Sequence, residues 1–316
     1  MNKKFRIAIY GAMGRIGLPY TAYLASSVFR EDSDVEITAI DLPEREKEIA
    51  AMRVGIMPFE EKFLAEMMAD AFSRPNFSFS FNGAIEADVH IILVGTPLHE
   101  EGYLDPSAIY KLIKEIDAVN GLTSIVIRST VPVGFTDFVA RERPDIDFYF
   151  FPERVVEGQA IEEFSKFPSI VGHNNPDCQL LRSKYGKKLF PDLINVSAKE
   201  AEFMKIATNT ARSMELAITN ALFLEALSNG LDFNRLLPLM KMDYPRLDCL
   251  YSPGTNVGGP CLSKDVFASN DPFFHSAVEI HNTMIDAVAM IAADLAAERK
   301  NVLLLGAAFK PNSDDE

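Results

Sequence analysis

The first 150 residues alternate short apolar, β-branched runs with stretches whose apolar residues recur at helical spacing. The runs are too continuous for strands with one wet face, so they predict a parallel sheet covered by helices on both sides. Repetition of this alternation predicts βαβ units and a doubly wound α/β fold. The predicted strands cover residues 5–10, 35–41, 76–81, 89–94, 124–128 and 147–151, and the predicted helices cover residues 16–29, 60–70 and 106–119.

A glycine-rich turn follows the first predicted strand and opens the first predicted helix. This is the context of a Rossmann-like dinucleotide fingerprint, in which the backbone approaches a pyrophosphate at a helix start. Its spacing is one residue longer than G-x-G-x-x-G, unless Ala12 stands in the place of the first glycine. A carboxylate at the end of the second strand favours NAD over NADP. The predicted cofactor-binding residues here are Gly11, Gly14, Arg15, Ile16, Gly17 and Asp41.

From about residue 198 the pattern becomes one long helix that ends at Asn229-Gly230, a C-cap signal. Its length indicates that it joins two lobes or forms a subunit interface. A further helix is predicted over residues 271–298 and a new strand over 301–305. We therefore expect a nucleotide-binding domain over residues 1–197, a helical central domain over 198–300, and the start of a third α/β domain over 301–316. The expected apolar face of the long helix comprises Phe203, Ile206, Ala207, Met214, Ile218, Ala221, Leu222 and Leu224.

Polar residues follow three of the predicted strands. Thr96 lies after the fourth strand, and Ser129 and Thr130 lie after the fifth. The carboxyl ends of the strands line the ligand crevice of a doubly wound sheet, where hydroxyls can bind a cofactor or a reacting oxygen; they can equally satisfy their own proline turns. After the sixth strand, Glu153 and Glu157 lie four residues apart. One of them suits a general base for water, and a solvated acid pair is the alternative.

A single cysteine in the central region follows a glycine pair, Gly258 and Gly259. Cys261 lies near the start of a predicted helix, and Lys264 and Asp265 come within one turn of it. A positive helix end and a neighbouring lysine both favour the nucleophilic thiolate. The alternative is a glycine-rich loop in front of a helix, with a buried and inert cysteine.

Lys205 and Asn209 lie four residues apart on the long helix and therefore on one face. An ammonium and an amide on an otherwise apolar face can stabilise an oxyanion. A lysine whose stem covers apolar surface is the alternative.

Composition limits the partners. The chain has 45 acidic and 31 basic residues, a formal net charge of −14, which argues against nucleic acid or a membrane surface as partner. We expect no segment as long as a membrane-spanning helix. Three cysteines fit a reducing cytoplasm better than a disulfide framework, and the five histidines lack metal-ligand spacing, so no metal is expected.

Taken in order, these motifs resemble the UDP-glucose/GDP-mannose dehydrogenase family over essentially the whole chain. The resemblance rests on the fingerprint, Val-Gly-Thr-Pro, Ser-Thr-Val-Pro-Val-Gly, Pro-Glu-Arg-Val-x-Glu-Gly, Ala-Glu-x-x-Lys-x-x-x-Asn, Gly-Gly-x-Cys-Leu-x-Lys-Asp and the closing residues 305–315. It implies oxidation of the C6 alcohol of a nucleotide sugar to a carboxylate, a four-electron reaction with two NAD⁺, and a homodimer packed through the long helix.

The resemblance also assigns roles to residues. Cys261 would form a thiohemiacetal and then a thioester, and Glu153 would activate the hydrolytic water or relay its protons. Lys205 and Asn209 would steady the oxyanion, Asp265 matches the acid that follows the cysteine, and Thr130 would hold a water or an oxygen. On the same basis Thr96, Ser129, Glu157 and Lys264 are expected to bind the cofactor. Arg246, Tyr251, Gly258 and Gly259 are expected to bind substrate, although Arg246 is displaced by one residue from the family spacing.

The segment Pro-Glu-Arg-Val-Val-Glu-Gly-Gln-Ala-Ile-Glu-Glu, followed by Ile170-Val171-Gly172, is more typical of the N-acetylhexosamine branch of the family, whereas Lys264 points towards the UDP-glucose branch. Family members usually continue with another nucleotide-binding domain beyond the segment where this sequence stops. Two other functions remain open. One is a two-electron β-hydroxyacid dehydrogenase, which uses the helix lysine and asparagine but no cysteine. The other is a binding or regulatory remnant that has kept the cofactor and dimer surfaces.

Overall fold

The computed structural model describes residues 4–119, 124–173, 175, 178–254, 260–269, 271–298 and 301–303. These residues form two compact units that divide inside the long helix, between Lys205 and Ile206. The first unit contains residues up to 99 and 104–205, and the second contains 100–103 and the residues from 206 onward. The expected domain boundary lies in the same helix, at its first residue, Ala198.

Within the described residues, eight strands form one sheet in the order β3-β2-β1-β4-β5-β6-β7-β8. All pairs are parallel except β6 and β7, which are antiparallel. The strands are Phe5–Tyr10 (β1), Val35–Ile40 (β2), Phe77–Ser80 (β3), Val89–Ile92 (β4), Ser124–Ile127 (β5), Asp147–Phe150 (β6), Ile170–His173 (β7) and Ile194–Val196 (β8).

The two faces of the sheet carry separate apolar cores, because side chains alternate across a strand. In β1, Ile7 and Ile9 belong to one core, and Ala8 and Tyr10 belong to the other. The central strands β4 and β5 are buried at every residue. This double burial confirms the doubly wound, Rossmann-like architecture expected from the continuous apolar runs.

The helices of the first unit lie between its strands, and the later ones belong mainly to the second unit. They are Gly17–Tyr23 (α1), Glu46–Arg53 (α2), Leu64–Phe72 (α3), Ser107–Asp117 (α4), Phe135–Glu142 (α5), Ala160–Glu163 (α6), Gln179–Arg182 (α7), Lys184–Leu189 (α8), Ala198–Ser228 (α9), Phe233–Lys241 (α10), Pro260–Asp265 (α11) and Pro272–Glu298 (α12). A π-helical turn, Leu24–Val28, extends α1, and short 3₁₀ turns occur at Pro43–Arg45, Pro245–Leu247 and Val266–Ala268.

Each of the six predicted strands is present, with ends that differ by at most two residues, and the long helix is confirmed. The two last strands, β7 and β8, and helices α2 and α5–α8 were not predicted. They are short, with at most eight residues each, and β8 is only three largely exposed residues, so each gives too short a pattern to mark an element. Residues 301–303 are not in a strand, contrary to expectation; the rest of that predicted strand and residues 305–315 lie outside the described residues.

The expectation that no segment reaches the length of a spanning helix was wrong. Helix α12 has 27 residues and is long and apolar enough, by length and composition alone, to cross a membrane. Scattered polar residues such as His281 and Asp286 interrupt its apolar stretches, which hides its length from an inspection for uninterrupted runs. Only 11% of its most apolar window is buried. One such helix is weak evidence for a membrane, since interface helices have similar compositions.

Candidate active site

The glycine loop lies where the order of the sheet reverses. Strand β1 pairs with β2 on one side and with β4 on the other, and ligands of doubly wound sheets bind at the carboxyl ends of such strands. Gly11 follows β1 with φ of +75°, and a Cβ there would lie 2.7 Å from the carbonyl oxygen of Leu93. A Cβ on Gly17 would overlap the carbonyl oxygen of Gly11. Both positions therefore require glycine.

The middle glycine is different. A Cβ on Gly14 would meet only the oxygen of Gly11, at 3.3 Å, so protein atoms do not fill the space beside it. Gly11 takes the turn position, while Ala12 is fully buried in the core, which explains the long spacing of the fingerprint. Ile16 precedes the first residue of α1, and the guanidinium of Arg15 lies over the ring of Phe59. The loop fits the close approach of a pyrophosphate.

Asp41 follows β2 and is tied to the glycine loop. Its Oδ2 accepts a hydrogen bond from the backbone N–H of Met13 at 2.6 Å, and its Oδ1 accepts one from Leu42 at 2.8 Å. The nearby cation that could bind a 2′-phosphate, Arg45, pairs with Glu48 and donates to the carbonyl of Met13. Each oxygen of Asp41 keeps acceptor capacity for a ribose hydroxyl.

The hydroxyls after β4 and β5 connect the two strand ends. Thr96 Oγ1 donates to the carbonyl oxygen of Thr130 at 2.7 Å, and Ser129 Oγ donates to that of Val94 at 2.6 Å. These bonds give Thr96 and Ser129 a structural role at the carboxyl edge of the sheet. Each oxygen still has acceptor capacity, so the expected contacts with cofactor or substrate remain predictions.

Glu153 follows β6, and its carboxylate accepts hydrogen bonds from three groups of the described residues. Its Oε1 accepts from the backbone N–H groups of Arg154 at 2.8 Å and Val155 at 3.1 Å, and its Oε2 accepts from the guanidinium of Arg128. Sequence reasoning noted Arg128 only as the end of a strand. The sequence feature that could have indicated Arg128 is a charged residue directly after a continuous apolar run.

Two further glutamates hold the loops that carry candidate residues. Glu61 accepts from the N–H of Gly158 at 2.7 Å, which fixes the loop that contains Glu157. Glu202, fully buried on α9, accepts from the N–H groups of Gly134 at 2.5 Å and Thr136 at 2.8 Å. The loop after Thr130 is thereby attached to the helix that carries Lys205 one turn later. Burial raises the pKa of Glu202, against the effect of these bonds.

In the second unit, three predicted residues form one group. The Asp265 carboxylate is fully buried and accepts from Asn209 Nδ2 at 2.6 Å and from Lys264 Nζ at 2.9 Å. Cys261 lies in the first turn of α11, one turn before Asp265, and is exposed rather than buried. The structure thus brings together Asn209, Lys264 and Asp265 and places Cys261 on the same short helix.

The segment that leads to the cysteine is attached to α9 by buried polar side chains. Thr219 Oγ1 accepts from the N–H of Tyr251 at 3.2 Å, and Asn220 Oδ1 accepts from that of Gly254 at 3.1 Å. The side chains of Arg246 and Tyr251 are exposed. Gly258 and Gly259 lie outside the described residues. Sequence reasoning missed Thr219 and Asn220, whose only signal was polarity within an apolar helix.

Two family models match the chain. The NAD-binding domain of the UDP-glucose/GDP-mannose dehydrogenase family matches residues 5–194, and the central domain of the same family matches residues 199–293.

Similar proteins carry related names. A UDP-N-acetyl-D-mannosamine dehydrogenase of Escherichia coli K12 is 28% identical over 343 residues, which cover 98% of this chain and 79% of that protein. One from Methanocaldococcus jannaschii is 28% identical over 325 residues, with 98% of this chain and 73% of that protein covered. A solved UDP-D-ManNAc dehydrogenase from Pyrococcus horikoshii superposes with a TM-score of 0.78 at 25% identity, over 94% of this chain and 73% of that one. With both family models matched in order along the chain, it belongs to the UDP-glucose/GDP-mannose dehydrogenase family.

Proposed function

We propose that the protein oxidises the C6 alcohol of a UDP-N-acetylhexosamine, UDP-N-acetylmannosamine first among the candidates, to the corresponding uronate. Membership of a family of nucleotide-sugar dehydrogenases supports the reaction class. The names of the relatives support the sugar, as does the Pro-Glu-Arg-Val segment that begins at Pro152.

The cofactor in this proposal is NAD. The open backbone beside Gly14 and the carboxylate of Asp41 would hold its pyrophosphate and ribose, and Thr96 and Ser129 are proposed to contact it at the strand ends. Glu157 and Lys264 remain proposed cofactor contacts on the basis of the family resemblance. When bound, NAD supplies the acceptor for the hydride removed in each of the two oxidations.

Cys261 is the proposed nucleophile. Its thiolate adds to the carbonyl carbon of the aldehyde to form a thiohemiacetal, whose oxidation leaves a thioester. Water then breaks the C–S bond, giving the carboxylate and returning the thiol. The observation that carries this proposal is the group Asn209–Asp265–Lys264, because it fixes the short helix on which an exposed Cys261 lies.

The other residues are proposed to handle charge and water. Lys205 is half-buried and makes no hydrogen bond or ion pair within the described residues, which suits an ammonium that stabilises an oxyanion. Asn209 is proposed to act with it while bonded to Asp265. Glu153 would accept a hydrogen bond from the hydrolytic water, and Thr130 would hold a water or a substrate oxygen. Arg246, Tyr251, Gly258 and Gly259 are proposed to contact the sugar nucleotide.

We also propose a homodimer through α9. Several of its apolar side chains are largely exposed, namely Phe203, Ile218, Leu222 and Leu227. Exposed apolar residues on a long helix suit an isologous interface. Sedimentation velocity should give a dimer that Ile218→Asp converts to a monomer; a native monomer would contradict the proposal.

The first experiment incubates the protein with NAD⁺ and a panel of UDP- and GDP-sugars and measures NADH and uronate. Two NADH per uronate, fastest with UDP-N-acetylmannosamine, is the expected result. Cys261→Ser should lower turnover by at least about 1,000-fold, because a serine alkoxide is far harder to form than a thiolate. Cys249→Ser, at the other exposed cysteine of the second unit, is the control and should be unaffected.

Each alternative function has its own outcome in this experiment. A fully active Cys261→Ser with one NADH per product would favour the two-electron β-hydroxyacid reaction. Absence of turnover with every sugar, while NAD still binds, would favour a binding remnant.

A further inference from the structure

Arg128, at the carboxyl end of β5, is an arginine in an environment that normally excludes charge. Its side chain is 2% exposed. The guanidinium lies between two aromatic rings, with its central carbon 4.0 Å from the centroid of Tyr20 and 4.1 Å from that of Phe151. Two ring faces hold a planar cation in one orientation, which an ammonium would not allow.

The charged partner of Arg128 is Glu153, whose side chain is 12% exposed. The guanidinium bonds Oε2, and the backbone N–H groups of Arg154 and Val155 bond Oε1. A carboxylate has about four acceptor positions, so three donors leave one position open. The rings of Tyr20 and Phe151 orient the guanidinium, and the guanidinium in turn orients the carboxylate and its open acceptor position.

The surroundings of Arg128 favour its charged form. Burial acts to lower the pKa of Arg128. The carboxylate of Glu153 and the hydroxyl of Tyr20 outweigh burial, so the pKa lies above its ordinary value. Burial raises the pKa of Tyr20 to about 12, so its hydroxyl keeps its proton beside the guanidinium. A buried ion pair adds little stability compared with a well-packed apolar pair. Stability alone therefore does not explain why Arg128 and Glu153 occupy these buried positions.

We propose that Arg128 is the positioning residue of the reaction, which holds Glu153 as an oriented carboxylate with one acceptor position left for the hydrolytic water. This inference rests on the role proposed for Glu153. It predicts that Arg128 acts on hydrolysis of the thioester and not on binding or hydride transfer.

The test uses UDP-N-acetylmannosamine and NAD⁺ in rapid-mixing measurements of NADH. Arg128→Met should keep the fast formation of NADH in the first turnover, whereas the steady-state rate falls by about 10- to 100-fold. The KM for the sugar nucleotide should change less than about threefold. Arg128→Lys should recover part of the rate. Arg143→Met, a variant of an ion-paired arginine on the surface of the same unit, is the control.

A double-mutant cycle separates positioning from general damage. If Arg128 acts through Glu153, the Arg128→Met/Glu153→Gln double variant should be no slower than Glu153→Gln alone. Additive losses, or a first turnover slowed as much as the steady state, would overturn the inference. If Glu153→Gln itself leaves hydrolysis unchanged, the role proposed for Glu153 fails instead.

A second measurement needs no turnover. Amide hydrogen exchange at Arg154 and Val155 should become at least about tenfold faster in Arg128→Met and remain unchanged in Arg143→Met, because Glu153 would no longer be held against both N–H groups. Unchanged exchange would contradict the proposal. If Arg128→Met does not fold, Phe151→Leu removes one ring and keeps the ion pair, and a smaller acceleration is expected.

Discussion

Glu202 in the first unit and Asp265 in the second are both fully buried carboxylates, yet they are held in opposite ways. Glu202 accepts from two backbone N–H groups, of Gly134 and Thr136, and among the described residues no cation bonds it. Asp265 accepts from two side chains, the amide of Asn209 and the ammonium of Lys264. A side-chain substitution other than proline leaves a backbone donor in place, whereas it can remove either donor to Asp265. The first arrangement attaches a loop, and the second balances charge on a short helix.

The largest effect is expected at Asp265, where charge and position both matter. Asp265→Ala leaves the Lys264 ammonium and the Asn209 amide without their acceptor, so kcat should fall about 100-fold or more and the free energy of unfolding by about 2 kcal/mol. Asp265→Asn should keep much of the stability and little of the activity. Turnover and urea unfolding are the measurements.

The control for Asp265 is Asp294→Ala, at an exposed aspartate of α12 in the same unit. Its turnover and stability should be close to those of the unchanged protein. An Asp265→Ala variant that was as active as this control would remove the distinction drawn between the two carboxylates.

Substitution of Glu202 is expected to lower the free energy of unfolding. The contribution of Glu202 should decrease as the pH rises, which is the opposite of the usual behaviour of a carboxylate. Glu202→Ala should cost about 2–3 kcal/mol, because two buried N–H groups lose their acceptor, and Glu202→Gln should cost less. Burial raises the pKa of Glu202, so the folded state holds its proton more tightly than the unfolded state. Its contribution is therefore largest in acid and falls as the pH rises above the usual value of 4.5.

Urea unfolding of the native protein and of Glu202→Gln, from acid to neutral pH, measures this dependence. The native protein should lose free energy of unfolding relative to Glu202→Gln as the pH rises. A difference that moved in the other direction would show that the two backbone bonds outweigh burial at Glu202.

The effect confined to acid pH concerns a buried histidine of each unit, and it extends the comparison to basic groups. Burial lowers the pKa of His90 to about 4, and its ring Nδ1 is hydrogen-bonded to Tyr10 Oη at 3.0 Å. Burial also lowers the pKa of His281 in the second unit. Both rings are neutral in the fold, so their contribution, complete above pH 6.5, is lost as the pH falls.

For His90 the loss should reach about 2 kcal/mol by about pH 5. His90→Gln should therefore flatten the acid dependence of unfolding in that range. His281→Gln should flatten it less. Equal slopes for His90→Gln and the native protein would contradict the buried, neutral ring at β4.

The sheet was predictable because its signals are local. Short apolar, β-branched runs mark β1, β2, β4 and β5, and three glycines at a strand-to-helix turn mark the nucleotide loop. The structure confirms the strands and adds the reason for two of the glycines, since a Cβ at Gly11 or Gly17 would collide with backbone. The short elements between β6 and α9 carried no periodic signal and were missed. Of the strand expected over residues 301–305, the structure describes only 301–303, and these are not in a strand. A four- or five-residue apolar run is weak evidence of a strand.

For the candidate site, the sequence offers residues and not their contacts. Cys261, Glu153, Lys205, Asn209 and Asp265 all stand within recognisable motifs, so the sequence determined the family, and the reactive role of these residues stays a prediction. It could not show that Asn209 bonds Asp265, 56 residues away, nor that Arg128 bonds Glu153 between two rings.

The physical reason is the range over which each kind of information acts. Backbone conformation and hydrophobic period depend on neighbours within a few residues, which a single sequence displays. The partner of a buried charge depends on which elements the fold brings side by side, and a motif that names the charge does not name its partner. For this chain the sequence determined the doubly wound sheet and the family, and only the tertiary structure decided how each carboxylate is held.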